Sequence, residues 1–416
     1  MLLHKVKWLP LITYRELFDY YVNYIKSKYG YCSKYHVVFD GYSDSLSTKS
    51  HTHDFRYMNT GSKIAAEVTI TNETKVTSKR EEFLRNRNNK VKLIDLLKKR
   101  MQKSNIVTHQ SKEGDADTLI VQTTLQITQQ NESVVVAADD TDVLVMLLYH
   151  LKKSMNVIYT TDCKEKGAKY AIPMWWDLPS LIKANPERSL LPFAHAWTGC
   201  DTTSTIFRQG KTRFLAHLKK KEGKGLANLF GNQSSTQEEI GHAGAKIMTQ
   251  MYNGKPSDTL TTLRYVKWQQ MALKNTTIEP SLLPPTERAA HFHALRVHLQ
   301  VMQWITLDLK SEDPKIWGWT QKDNKLIPVK TDMEAAPDSL LNAVRCNGKI
   351  SSKNTRGSSA CSCVKNGLKC VAACGDCRGI ECQNPSNEMV MSFEELEDEN
   401  DDEGDDGNVF DIFNQL

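Results

Sequence analysis

No stretch of this chain stays apolar for long. The longest such run, Val143 to Tyr149, is far short of the roughly 20 residues that cross a bilayer as a helix. That excludes a membrane-spanning reading. A secretory signal pattern is missing too: Trp8-Leu9-Pro10-Leu11-Ile12 is brief, proline-broken and lacks a small-residue cleavage site. The expectation is an intracellular protein with no membrane partner. Lys and Arg are absent from Ser386 to Leu416, where 12 acidic residues lie, so residues 386–416 read as an acidic, disordered tail. Cysteine is scarce before position 346, with only Cys32, Cys163 and Cys200. A disulfide-stapled scaffold is therefore excluded for most of the chain. No internal repeat is present.

What remains is basic. Outside the tail, 54 Lys and Arg face 37 Asp and Glu, a net of +17. Such a body suits a polyanionic partner, and nucleic acid, DNA first, is the expected one. Lys219-Lys220-Lys221 is a weak nuclear import signal.

Apolar runs alternate with helix-spaced segments through the first half. Tyr14 to Lys28 reads as a helix, Tyr35 to Gly41 as a short strand ending in Asp40-Gly41, Ala65 to Ile70 as a weak strand, and Lys79 to Lys103 as one basic helix. A strand at Asn105 to Thr108 and a helix at Asp117 to Gln130 follow. Then come the strand Val134 to Ala138, the helix after it, and a strand at Asn156 to Thr160. Alternation of this kind predicts an α/β fold with a parallel sheet covered on both faces. From Leu191 onward the pattern is mainly helical, and Pro284-Pro285-Thr286-Glu287 marks a helix start.

Three acidic clusters stand out: Glu113 to Asp117, Ala138 to Asp142, and Asp201 within Gly199 to Ser204. The second sits between a buried strand and a buried helix, where open α/β sheets place their ligands. Acids converging there repel one another unless a cation neutralises them, and oxygen ligands suit Mg²⁺ or Mn²⁺. The competing reading is that Asp139, Asp140 or Thr141 caps the following helix. Asp117 reads as a helix-start residue, His195 and Cys200 as core, His51 and His53 as loop residues, and the basic helix as a solvated face.

With these residues placed, residues 37–215 resemble the PIN-like nucleases of the flap endonuclease/XPG group. Asp40-Gly41 matches that family's strand ending in D-G, and Glu113 with Asp115 its paired acids. Asp140 with Asp142 match its E-D-x-D strand end, and Asp201 its G-x-D, all in the family's order. The resemblance implies a three-layer α/β/α fold and a two-ion Mg²⁺ or Mn²⁺ site. Asp40, Glu113, Asp115 and Asp140 would hold one ion, Asp142 and Asp201 the other. It also implies catalytic roles for Lys49 and Arg56 at the reacting phosphate. Arg208, Gly210, Lys211 and Arg213 would form a shortened glycine turn that grips nucleic acid. The chain departs from the family upstream of Asp40, where only Asp19, inside a helix-like segment, stands in for the usual aspartate-bearing first strand.

Seven cysteines fall between Cys346 and Cys382: Cys346, Cys361, Cys363, Cys370, Cys374, Cys377 and Cys382. C-x-C and C-x2-C separations let neighbouring thiolates share a tetrahedral Zn²⁺, and seven sulfurs fit two ions if one bridges. The run from Cys361 to Cys370 resembles part of a tesmin-like CXC domain, a zinc-bound, DNA-binding module. The organisation read from sequence is a PIN-like domain at 1–220, a helical extension at 221–343, a cysteine-rich zinc module at 344–385 and the tail. The function expected is a metal-dependent, structure-specific nuclease on DNA or RNA. The alternative is a nuclease-derived nucleic-acid-binding or scaffold protein with an inactive pocket.

Overall fold

A computed structural model describes residues 2–41, 47–49, 64–112, 115–163, 172–218, 221–274, 280–308, 312–323, 325–333, 362–365 and 370. The chain is α/β, helix-rich, with small sheets of which one is wholly parallel. It divides into two compact units. The first holds Met1–Pro192, Gln303–Glu312 and Gln321–Ile327, and the second Phe193–Met302, Asp313–Thr320 and Pro328–Leu416. Position 220, the expected domain boundary, falls inside the second unit.

In the first unit a short helix α1 (Leu2–Lys5) precedes α2 (Tyr14–Lys28). Thr13 and Glu16 close a capping box on α2, each satisfying the other's orphan donor. Leu17, Phe18, Tyr21, Val22 and Ile25 form its buried stripe. Two helices follow, α3 (Arg80–Arg85) and α4 (Arg87–Gln102). The single helix expected across Lys79 to Lys103 is therefore broken at Asn86. That residue is extended and its side chain accepts from the backbone N–H of Asn89, so an asparagine cap restarts the helix. The expected strand at Ala65 to Ile70 is not one. Its backbone is held instead by the buried amide of Asn89, which accepts from Val68 N and donates to Ala66 O.

Strand β1 (Tyr35–Phe39) pairs in parallel with β2 (Ile106–Gln110), from Tyr35↔Ile106 to Phe39↔Gln110. Phe39 and Ile106 are buried with the α2 and α4 stripes, and Tyr35 and Val37 pack against the same cluster. One face of this two-stranded sheet thus looks into the core. Helix α5 (Ala116–Thr128) leads to β3 (Val134–Ala137), and α6 (Thr141–His150) to β4 (Val157–Cys163). Asn105 and Asn131, both at positive φ, end the preceding helices and turn the chain into β2 and β3, a conformation asparagine tolerates. β3 is parallel to β4, but β5 (Ile172–Asp177) runs antiparallel to β4. The expected parallel sheet is thus two small sheets, one of them mixed. An antiparallel pair needs no covering crossover helix between its strands. Helix α5 packs on α6, on β1 and on β3, touching strands of both sheets. Val143 to Leu148 of α6 are all buried, so this run is core.

The first unit also includes α7 (Leu178–Ala184). The second unit is mainly helical: α8 (Leu191–Thr198, shared at its start with the first unit), α9 (Lys211–Leu218), α10 (Lys221–Phe230), α11 (Gln237–Met251), α12 (Leu260–Lys274) and α13 (Glu287–Thr306, shared at its end). Phe193, Trp197, Phe214 and Phe230 interlock at its centre, with ring centroids 4.5 to 5.9 Å apart. Helices α11 and α13 approach closely at glycines. A Cβ on Gly244 would lie 2.4 Å from Ala294 Cβ, and one on Gly241 2.2 Å from His291 Nδ1. Replacing Gly244 with Val forces two packed helices apart. The expected cost is about 1–3 kcal/mol, typical of overpacking, read as a lowered denaturation midpoint. A midpoint unchanged from wild type would show that the helices part freely there.

Candidate metal and nucleic-acid site

Both D-x-D pairs occupy the same kind of place. Asp115 ends the loop after β2 and caps α5, its carboxylate accepting from Asp117 N at 3.2 Å. Asp140 ends the loop after β3 and caps α6, accepting from Asp142 N at 3.0 Å. In each pair the first acid is the cap and the second lies in the first helical turn, where the helix dipole favours negative charge. An extended backbone, which an i, i+2 inward pairing requires, is absent at Asp117 and Asp142. The acids converge through helix starts instead.

They converge on one cation. Lys49 Nζ lies 2.9 Å from Asp115 Oδ2, 2.9 Å from Asp117 Oδ2 and 3.9 Å from Asp142 Oδ2. All four side chains are at most 15% exposed. Burial opposes the charge on Lys49, but Asp117, Asp115 and Asp142 outweigh it and hold its ammonium well above the ordinary lysine range. Burial likewise pushes Asp117 well above the usual carboxylate range; Lys49 opposes this, while the charges of Asp115 and Asp140 reinforce it. Both directions follow from one arrangement: among the described residues the Lys49 ammonium faces the three carboxylates of Asp115, Asp117 and Asp142, with Asp140 close behind Asp117. Tyr159 joins the cluster from β4, donating its hydroxyl to Asp140 O at 2.9 Å. Burial, then the aspartate charges, push that phenol up.

Asp139 takes a different direction. Its carboxylate accepts from Thr161 Oγ1 at 2.7 Å and pairs with Lys5 at 3.0 Å. Lys5 also reaches Asp162 at 2.9 Å, and Lys28 reaches Asp162 at 2.6 Å. Burial works against ionisation of Asp162, yet the two lysines hold it below the ordinary range. The motif Ala138 to Asp142 therefore serves two sites, one structural and one facing Lys49.

The other expected residues are placed as follows. Asp40 is exposed just beyond β1, and its charge acts on Lys90 of α4. Asp201 belongs to the second unit, in a turn fixed from several sides. There Cys200 bridges Thr203, Thr203 Oγ1 donates to Ala196 O at 2.6 Å, and Thr202 Oγ1 bonds the buried Gln300. Gly199 enters this turn at φ +114°, a left-handed conformation that favours glycine, and a Cβ there would meet Thr205. In the expected glycine turn the left-handed residue is Arg208, at φ 53°, with its guanidinium 5.5 Å from the Phe207 ring. Gly210 is exposed with open space where a Cβ would stand, so nothing there demands glycine. Lys211 opens α9, while the Arg213 side chain lies outside what is described. Arg56, Glu113, His51, His53, Cys346, Cys361, Cys374, Cys377 and Cys382 also lie outside the described residues. Cys363 and Cys370 are buried and free of disulfides. His195 is buried, as a core histidine should be.

The residues that sequence reasoning passed over are Asp117 as a cluster member and Tyr159. Burial of a helix-start acid is the signal for the first, and no sequence pattern marks the second. Among the described residues no three His, Cys, Asp or Glu form a group that could hold a metal ion. Lys49 stands where the acids meet. The donors are all oxygen and carry excess negative charge, which fits a hard dication, but an ion there requires Lys49 to swing aside.

The imbalance has a stability consequence. Asp117, raised in the folded state, contributes stability below its unfolded pKa that is lost as pH rises through its folded value. Asp117→Asn should therefore melt at a higher temperature than wild type at neutral pH and lose part of the decline toward alkaline pH. An unaltered or lower melting temperature at pH 7 would show that Lys49 already balances the cluster. No family model, curated protein or solved structure matches this chain.

Proposed function

We propose that the protein is a divalent-metal-dependent nuclease hydrolysing phosphodiester bonds in DNA or RNA, with a PIN-like three-layer core. The observation that carries this reading is the set of carboxylates gathered beyond strand ends, Asp115, Asp117 and Asp142 around Lys49, with Asp140 capping the helix that carries Asp142. Asp115, Asp117 and Asp142 would hold Mg²⁺ or Mn²⁺, which when bound would activate water and stabilise the leaving oxyanion. Asp140, fixed by its cap bond, orients Asp142. Lys49, displaced from the acids, offers its ammonium to charge developing on the phosphate. Glu113 and Arg56 are the further first-unit residues that the family resemblance would add. Arg208, Gly210, Lys211 and Arg213 are assigned to nucleic-acid backbone. The seven cysteines form a zinc module, and Lys219 to Lys221 direct the protein to the nucleus.

The same Lys49 contact favours a second reading. An ammonium seated among the acids substitutes for the metal, as in a nuclease-derived protein that binds nucleic acid without cutting it. Cleavage assays on flap, hairpin and linear substrates separate the two. The nuclease reading expects cutting with Mn²⁺ or Mg²⁺, none with chelator, and a loss of about 100-fold or more in Asp142→Asn, the scale for losing a charge-stabilising group. Binding without cutting under every ion would leave the second reading standing. The cysteine module has its own check: elemental analysis of the purified chain should find close to two zinc ions per molecule, and zinc at background would remove it.

A further inference from the structure

The outer face of the β1–β2 sheet carries a pair of histidines that the aspartate cluster does not use. In the parallel register His36 stands opposite Val107 and His109 opposite Val38, which places the two imidazoles diagonally on one face. Their rings are stacked within 11°, centroids 5.3 Å apart, and His36 Nδ1 lies 3.0 Å from His109 Nε2 at an exposed contact. Val107 on the same face is 46% exposed, so solvent reaches the pair.

We propose that His36 and His109 form a chelating site for a late transition-metal dication, Zn²⁺ or Cu²⁺. Two imidazole nitrogens bound about 2.0–2.1 Å from one ion stand roughly 2.9–3.4 Å apart for angles between square-planar and tetrahedral. The observed separation lies inside that range, so the strands already set the bite. Burial lowers both imidazoles below the ordinary histidine range, and for His109 the charge of His36 adds to it. Coordination uses His36 Nδ1 and His109 Nε2. The proton now shared between them moves to the other nitrogen of its own ring by exchange with water, so no net proton is released. Small rotations about χ2, a torsion with broad wells, turn both lone pairs toward one ion. The carboxylate of Glu132 acts on His36, and the ammonium of Lys34, paired with it at 2.7 Å, acts in the opposite sense. Water completes the coordination. The site differs in kind from the oxygen-rich aspartates: imidazole selects Zn²⁺ or Cu²⁺ over Mg²⁺.

The test uses the full chain with its cysteines zinc-loaded, titrated with further Zn²⁺ and followed by the imidazole NMR resonances. His36→Gln and His109→Gln assign the two rings. The expected result is that both resonances shift together at one ion per pair, that Mg²⁺ leaves them in place, and that either substitution weakens this binding by about tenfold or more. Movement of other histidines with these two stationary would overturn the site, as would variants binding Zn²⁺ as tightly as wild type. The wild-type titration stands alone should a variant fail to fold.

Discussion

Charge imbalance around one lysine governs the first unit. Asp115 and Asp140 are bound to their own helices as caps, and Asp117 and Asp142 stand one turn inside. The acids are where they are because two helices begin there, and the helices begin there because aspartate accepts their orphan N–H groups. Lys49 then makes the assembly tolerable in a largely dry setting. Like-charged groups held together by backbone geometry are costly, and proteins retain such arrangements chiefly where they do chemistry.

Capping and ligation are usually weighed as rival explanations for an acid before a helix. Here capping and ion pairing coexist on one carboxylate. A capping bond uses one lone pair of a carboxylate and leaves the second oxygen free to face a cation. Asp115 shows both: it accepts from Asp117 N and sits 2.9 Å from Lys49. The cap supplies positional precision that a free side chain would lose to rotamer entropy.

Much of this was legible in the residues, and the limits are physical. Local signals carried well: the Thr13/Glu16 box, the apolar stripe of α2, the buried run of α6 and the D-x-D before it are all encoded within a few positions. Asp117 reads in sequence as an ordinary solvated helix-start acid, because its ion pair with Lys49 comes from 68 positions away. Asp139 was grouped with its neighbours, yet pairs with Lys5. The break at Asn86 escaped notice because asparagine caps and interior asparagines look alike until the chain around Asn89 is folded. The antiparallel β5 depended on a short connection rather than on any property of the strand itself.

The lysines that secure Asp139 and Asp162 carry an implication for how the chain comes together. Lys28 and Asp162 are 134 positions apart, and Lys5 reaches the same carboxylate. Closing so long a loop is entropically slow and is rewarded only once both ends are ordered. The segment that carries Lys5 and Lys28 therefore gains these ion pairs only when β4 is in place.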